Sequence, residues 1–262
     1  VTGVQTCALP ICSKTEIVGV LSVMPKFAFL IPDSNRNNID IFIPIQNLHG
    51  GKNGQKAIAR ITEWLPSAKN PTGEIIEVLG EPGENNAEMN AILAEYGFPL
   101  RFPKDVEKEA DAIPFEIPSV EIKKRRDMRK ETTFTIDPVD AKDFDDALSV
   151  AVQEDGTYEI GVHIADVSHY LREGSKMDDE ALDRATSVYL VDRVIPMLPE
   201  KLSNHVCSLR PKEDKLCFSA IFKMNNDAEV LEEWFGRTVI HSDHRFTYEE
   251  AQQIIETGDG PL

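Results

Sequence analysis

Between Thr15 and Gly80 short apolar runs alternate with turn residues, the pattern of a small all-β unit. Candidate strands are Ile17 to Val23, Phe27 to Ile31, Ile39 to Ile43, Gln55 to Trp64 and Gly73 to Leu79. Pro32-Asp33-Ser34-Asn35, Gly50-Gly51 and Asn70-Pro71 supply the turns. Five short strands with this punctuation suit a barrel of the OB type, a common oligonucleotide binder. Period-two spacing puts Phe27 and Phe29 on one face of their strand. That face either fills the barrel core or leaves the rings free to stack on bases, and periodicity leaves both open.

The pattern then changes. Asn85 to Tyr96 reads as a helix that Gly97 stops, and Lys104 to Ala112 as a short charged helix after Pro99 and Pro103. Thr132 to Ile136 is a β-type run, and Leu148 to Gln153 and Thr157 to His163 flank an Asp155-Gly156 hairpin turn. Ser175 to Thr186 predicts a helix with Ala181, Leu182 and Ala185 inward, and Leu216 to Met224 with Glu229 to His241 a further strand pair. Thr247 and Glu250 form a capping box that opens a helix through Ile255. The order predicts an α+β multidomain chain: a barrel over 13–82, a helical linker over 83–130 and a mixed α/β domain over 131–262. No GxGxxG or Walker pattern is present.

The chemistry concentrates in Thr132 to Val150, TTFTIDPVDAKDFDDALSV. Asp137, Asp140, Asp143, Asp145 and Asp146 fall within ten positions behind the β-type run. Ionised neighbours this close push one another's pKa values up, and a hard divalent cation with oxygen ligands is the simplest remedy. A solvated acidic surface is the plain alternative, against which stand the apolar flanks Phe134, Ile136, Phe144, Leu148 and Val150. The EF-hand pattern fails, because counting from Asp137 puts Lys142 and Leu148 where Gly and Glu are needed. Magnesium, or manganese, suits a site that takes few protein carboxylates and completes its shell with water and phosphate. Upstream, EIKKRRDMRKE (Glu121 to Glu131) carries six basic residues against three acidic ones. It reads either as a phosphate contact or as an exposed helix face with internal ion pairs.

The acidic segment resembles the catalytic signature of the RNB family, the ribonuclease II and ribonuclease R type exoribonucleases. Further matches follow in the family's order: GVHIADVSHY (Gly161 to Tyr170), ATSVYL (Ala185 to Leu190), VIPMLPEKLSNHVCSLRP (Val194 to Pro211) and RFTYEEAQ (Arg245 to Gln252). The region from Val18 to Gly80 is similar to the cold-shock-like domain of the ribonuclease R type, with KFAFLIP (Lys26 to Pro32) and DIFIP (Asp40 to Pro44) as its RNA-binding strands. The resemblance implies processive 3′-to-5′ hydrolysis of single-stranded RNA to nucleoside 5′-monophosphates. It implies Asp137, Asp143, Asp145 and Asp146 as magnesium-associated positions, with Asp145 tied most closely to the chemical step. It also implies Tyr189 as a stacking platform for the RNA end, and Phe27, Phe29 and Phe42 as RNA-binding. His163 and His169 lack the HExxH spacing and are expected to be structural. The competing readings are an RNA-binding protein that keeps this fold without activity, and a phosphohydrolase acting on small molecules.

Composition adjusts this reading without reversing it. A net charge of −17 over 262 residues opposes nucleic-acid binding in general, so RNA contact would need local basic or aromatic surfaces. No apolar run is long enough to cross a bilayer as a helix, so no membrane partner is expected. Val1 to Cys12 reads as a translated sequencing-adapter sequence and is set aside as non-native. Cys207 and Cys217 then remain, too few for a disulfide framework, which points to a reducing cytoplasmic setting.

Overall fold

The computed structural model describes residues 16–33 and 39–260; Val1 to Cys12 lie outside them. The chain forms two compact units, Val1–Arg101 and Phe102–Leu262.

In the first unit, β1 (Glu16–Val23), β2 (Phe27–Pro32), β3 (Ile41–Pro44), β4 (Lys56–Glu63) and β5 (Thr72–Gly80) close a barrel in the order β1-β2-β3-β5-β4. All five strands occur where the apolar runs predict them. Strand alternation sends Ala28, Leu30, Ile41, Ile43, Ala57, Ala59 and Ile75 inward, each fully buried. Each large aliphatic side chain buried this way contributes roughly 1.5–3 kcal/mol. Gly19 is required by the close approach of β2, because a Cβ there would lie 2.2 Å from the Ile31 carbonyl oxygen. Helix α1 (Asn85–Glu95) packs Ala91 against Val18 and Ile58. Lys56 Nζ fastens it by reaching Glu88 Oε2 at 2.5 Å and Asp33 Oδ2 at 2.9 Å.

The second unit begins with α2 (Lys104–Asp111), α3 (Ser119–Ile122) and β6 (Arg126–Asp127). The hairpin strands follow, β7 (Thr132–Asp137), β8 (Asp146–Val152) and β9 (Tyr158–Ala165), then α4 (Val167–Tyr170) and α5 (Lys176–Arg184). A two-residue pair, β10 (Val188–Tyr189) and β11 (Val194–Ile195), leads to a π-helical turn, Lys201–Val206. Last come β12 (Asp214–Met224), β13 (Val230–His241), β14 (His244–Thr247) and α6 (Tyr248–Thr257), which opens with the expected capping box at Thr247 and Glu250. Seven strands form one sheet in the order β14-β7-β8-β9-β12-β13-β6.

The sheet's two faces differ. One packs Ala147, Ala165, Cys217, Ile221 and Ile240 against Val106, Met177, Leu202 and Leu209. On this face His163 is fully buried, with Nδ1 2.7 Å from Ser219 Oγ and Nε2 2.9 Å from Ser149 Oγ. Burial holds its imidazole neutral, at a pKa of about 4. The other face presents cross-strand rows that are largely apolar. Phe134, Leu148, Val162, Ala220 and Phe235 form one, and Val150, Ile160 and Phe222 another. Phe218 and Phe235 are more than half exposed on it, at 51% and 56%.

Two expectations need correction. Leu182 points to solvent at 79% exposure and Ala185 is the exposed left-handed cap beyond the helix end, so Met177 joins Ala181 as the buried side of α5, because the helix meets the core one turn earlier. The basic run Glu121 to Glu131 is helical only at its start, where α3 ends at Ile122, and its arginines are drawn into ion pairs rather than lying along an exposed helix face. Arg125 is buried, with Nη1 2.7 Å from Asp166 Oδ2 and Nε donating to Glu121 Oε1 at 2.9 Å. Arg126 pairs with Glu159 at 2.6 Å, and Arg129 with Asp127 at 2.7 Å and Asp214 at 2.9 Å. A guanidinium taken into the core needs carboxylates close by, and the neighbouring strands supply them.

Candidate functional site

Strand β7 ends at Asp137 and β8 starts at Asp146, so the acidic positions belong to the loop that joins two neighbouring strands. The loop is irregular but held at several points. The Ala141 amide donates to the Pro138 carbonyl at 3.1 Å. Phe144 is buried; its amide donates to Ser208 Oγ at 3.1 Å and its carbonyl accepts from the Leu209 amide at 2.7 Å. Ser208 Oγ in turn donates to the Lys142 carbonyl at 2.9 Å. The Asp145 carbonyl accepts from the Ala165 amide at 3.0 Å. Main-chain bonds, two of them to the Ser208 hydroxyl, thus fix the path of the loop.

Asp137 is buried, and its Oδ2 finds no hydrogen-bond partner in the protein. Burial raises its pKa above the ordinary carboxylate value, the charges of Asp146 and Asp145 add to the rise, and Thr135 and Arg245 oppose it. Asp146 is raised too, by partial loss of hydration around its carboxylate at the strand end and by the charge of Asp145, although the residue as a whole is exposed. Asp145 and Asp146 are exposed, and Asp143 is half-buried. Among the described residues no three acidic, histidine or cysteine side chains converge closely enough to hold an ion as they stand. The donor set is nevertheless all oxygen, and the orphaned buried oxygen of Asp137 is a position that a cation would satisfy. These residues fit a hard divalent ion such as magnesium.

Tyr189 stands beside this loop. Its hydroxyl donates to Asp143 Oδ2 at 3.0 Å, and its ring is 67% exposed. Burial of the hydroxyl end and the bond to Asp143 raise its pKa, so the phenol stays a neutral donor. Asp140 is exposed at the loop's tip. His169 is part-buried, with Nδ1 3.6 Å from Glu121 Oε1.

On the barrel, Phe27, Phe29 and Phe42 lie on the outer face, since their strand neighbours Ala28, Leu30, Ile41 and Ile43 fill the core. Their ring centroids are 5.6, 5.7 and 5.9 Å apart, forming one aromatic patch. The alternative left open by periodicity, that these rings fill the barrel, is excluded.

Sequence reasoning missed two residues at the acidic loop. Ser208 pins it, and Arg245 reaches it from β14 by donating to the Pro138 carbonyl. Both sit inside segments that carry the family resemblance, which was the available signal; which loop they touch depends on strand order.

Comparison with known proteins places this geometry. The RNB domain family matches residues 125–261, just over half of the chain, and the cold shock domain family matches residues 29–103. Ribonuclease R of Thermotoga maritima is 40% identical over 243 residues, covering 92% of this chain and 34% of that protein. DIS3-like exonuclease 2 of Xenopus tropicalis is 47% identical over 204 residues, covering 77% of this chain and 24% of that protein. Among solved structures, Mycoplasma genitalium RNase R in complex with double-stranded RNA superposes with a TM-score of 0.81 at 25% identity, over 95% of this chain and 44% of that one. Yeast Ssd1, a pseudonuclease, shares the fold at a TM-score of 0.65 and 21% identity. The chain spans about a third of the length of the ribonuclease R relatives it matches. With the acidic loop, the Tyr189 segment and the barrel in the family's order, the chain belongs to the RNB family.

Proposed function

We propose that this chain is part of a divalent-metal-dependent exoribonuclease that hydrolyses single-stranded RNA processively from its 3′ end to nucleoside 5′-monophosphates. The observation that carries the proposal is the acidic loop, with its buried unpartnered Asp137 oxygen, in a member of the RNB family. Asp137, Asp143 and Asp146 would hold magnesium or manganese, and Asp145 would act closest to the chemical step. When bound, such a metal supplies an activated water and offsets charge on the phosphate. The exposed ring of Tyr189 stacks on the base at the RNA end. The aromatic patch of Phe27, Phe29 and Phe42 contacts single-stranded RNA, a sequence-tolerant mode that suits a chain of strong negative charge. Retention of all four aspartates favours an enzyme over an inactive RNA-binding relative. Two buried free thiols fit a cytoplasmic setting, and no helix among the described residues is long and apolar enough to cross a membrane.

Because the chain covers about a third of its ribonuclease R relatives, alone it is expected to bind single-stranded RNA weakly and to degrade it negligibly. The activity test therefore places residues 13–262 within Thermotoga maritima ribonuclease R in exchange for the matching segment. Magnesium-dependent release of nucleoside 5′-monophosphates from end-labelled poly(A) is expected. A folded chimera that binds RNA and releases none would point to the non-enzymatic reading.

A further inference from the structure

Arg245 touches both ends of the acidic loop. From β14 its Nη2 donates to the carbonyl of Pro138, the residue that follows Asp137. Its guanidinium carbon lies 5.5 Å from the ring centroid of Phe144, the residue that precedes Asp145. The Phe144 main chain is held by the Ser208 hydroxyl and the Leu209 amide, and its side chain is buried, so Arg245 lies against a ring packed into the core. Arg245 itself is set by β14, which pairs in parallel with β7, Arg245 opposite Thr135 and Thr247 opposite Asp137. Its Nε is buried and has no acceptor, so the side chain is placed by the Pro138 and Phe144 contacts.

We propose that Arg245 is a positioning residue that clamps the two ends of the acidic loop, setting where Asp143, Asp145 and Asp146 stand relative to Asp137. A planar guanidinium can donate to a carbonyl and lie on an aromatic ring together. A lysine ammonium keeps the charge but cannot reproduce both contacts. The clamp's importance for catalysis rests on the reading of the loop as a metal site; the clamp itself does not.

The test uses the 262-residue chain and amide hydrogen exchange, with no metal and no RNA. The reporters are the amides of Ala141 and Phe144, both bonded at the loop. Arg245→Lys and Arg245→Ala are each expected to speed exchange there by about tenfold or more, as for loss of a charge-assisted hydrogen bond. The β8–β9 ladder should keep its protection. Phe144→Leu keeps an apolar core side chain and removes the ring face; it should speed the same two amides with Arg245 in place. A lysine variant that protects the loop like wild type would show that charge alone matters and would overturn the clamp, as would unchanged exchange in all three variants. A second arm titrates manganese into the wild-type and Arg245→Lys chains, expecting about tenfold weaker binding to the variant. No manganese binding to either chain would defeat the metal reading and leave the clamp, read by exchange, standing. Equal affinity in both would overturn the clamp's role in setting the metal ligands.

Discussion

The Tyr189 hydroxyl donates to Asp143 Oδ2 at 3.0 Å, joining the short β10–β11 pair to the loop that carries the acidic cluster. One residue thus presents an exposed ring to solvent and a phenol to a carboxylate, and under the proposed function that ring stacks on a base.

The two roles of Tyr189 separate by substitution. Tyr189→Phe keeps the ring and should leave affinity for a labelled oligo(A) within about twofold, whereas Tyr189→Ala should cost about 1–3 kcal/mol of binding. Fluorescence anisotropy with the two variants measures this. Equal losses would assign the contribution to the hydroxyl rather than to stacking.

For Asp145, exposed beside two other acidic positions, the prediction concerns rate rather than binding. In the chimeric ribonuclease, Asp145→Asn should slow turnover on the order of a thousandfold, the effect of losing an electrostatic stabiliser worth about 3–4 kcal/mol. RNA affinity should survive, because shape is kept. Turnover near that of the parent chimera would remove Asp145 from the chemistry.

The aromatic patch on the barrel predicts a contrast between neighbouring positions. Leu30→Ala, in the fully buried core, should destabilise the first unit by about 2–5 kcal/mol. Phe29→Ala, one residue away on the outer face, should cost much less stability but weaken RNA binding. Denaturant unfolding alongside anisotropy distinguishes the two, and a Phe29→Ala variant with full RNA affinity would contradict the proposed surface.

His163 predicts a pH dependence with a definite sign. Its folded pKa of about 4 lies below the ordinary value of 6.5. As pH falls below about 6.5 the unfolded chain takes up a proton that the folded chain refuses, so stability falls between pH 6.5 and 4, by roughly 2–4 kcal/mol in all. His163→Gln should flatten that part of the stability–pH profile in urea unfolding. An unchanged profile would show that the acid limb has another source.

Much of this arrangement was legible in the sequence, and the division has a physical basis. Local signals held: period-two apolar runs gave every barrel strand, Asp155-Gly156 marked the β8–β9 turn, and Thr247 with Glu250 capped α6. Which strand face looks inward was not legible for Phe27 and Phe29, because the alternation is symmetric until the barrel closes. Nor was the fate of Arg125. Its ion pair with Asp166 joins residues far apart in sequence, and a basic run reads as surface until a distant carboxylate takes one member inside. At the acidic loop the residue types were visible, but their supports, Ser208 and Arg245, depend on strand order.

The apolar face of the seven-stranded sheet, with Phe218 and Phe235 more than half exposed, has a consequence for the colloidal behaviour expected of the purified chain. Patches of this kind draw molecules together, and here the opposing force is mutual repulsion from a net charge of −17. Dispersal is therefore an electrostatic balance, and salt, which shortens the range of that repulsion to about 10 Å at 0.1 M, shifts it towards clustering. Light scattering should grow as ionic strength rises or as the solution is acidified towards neutral net charge, and should be least in dilute, slightly alkaline buffer.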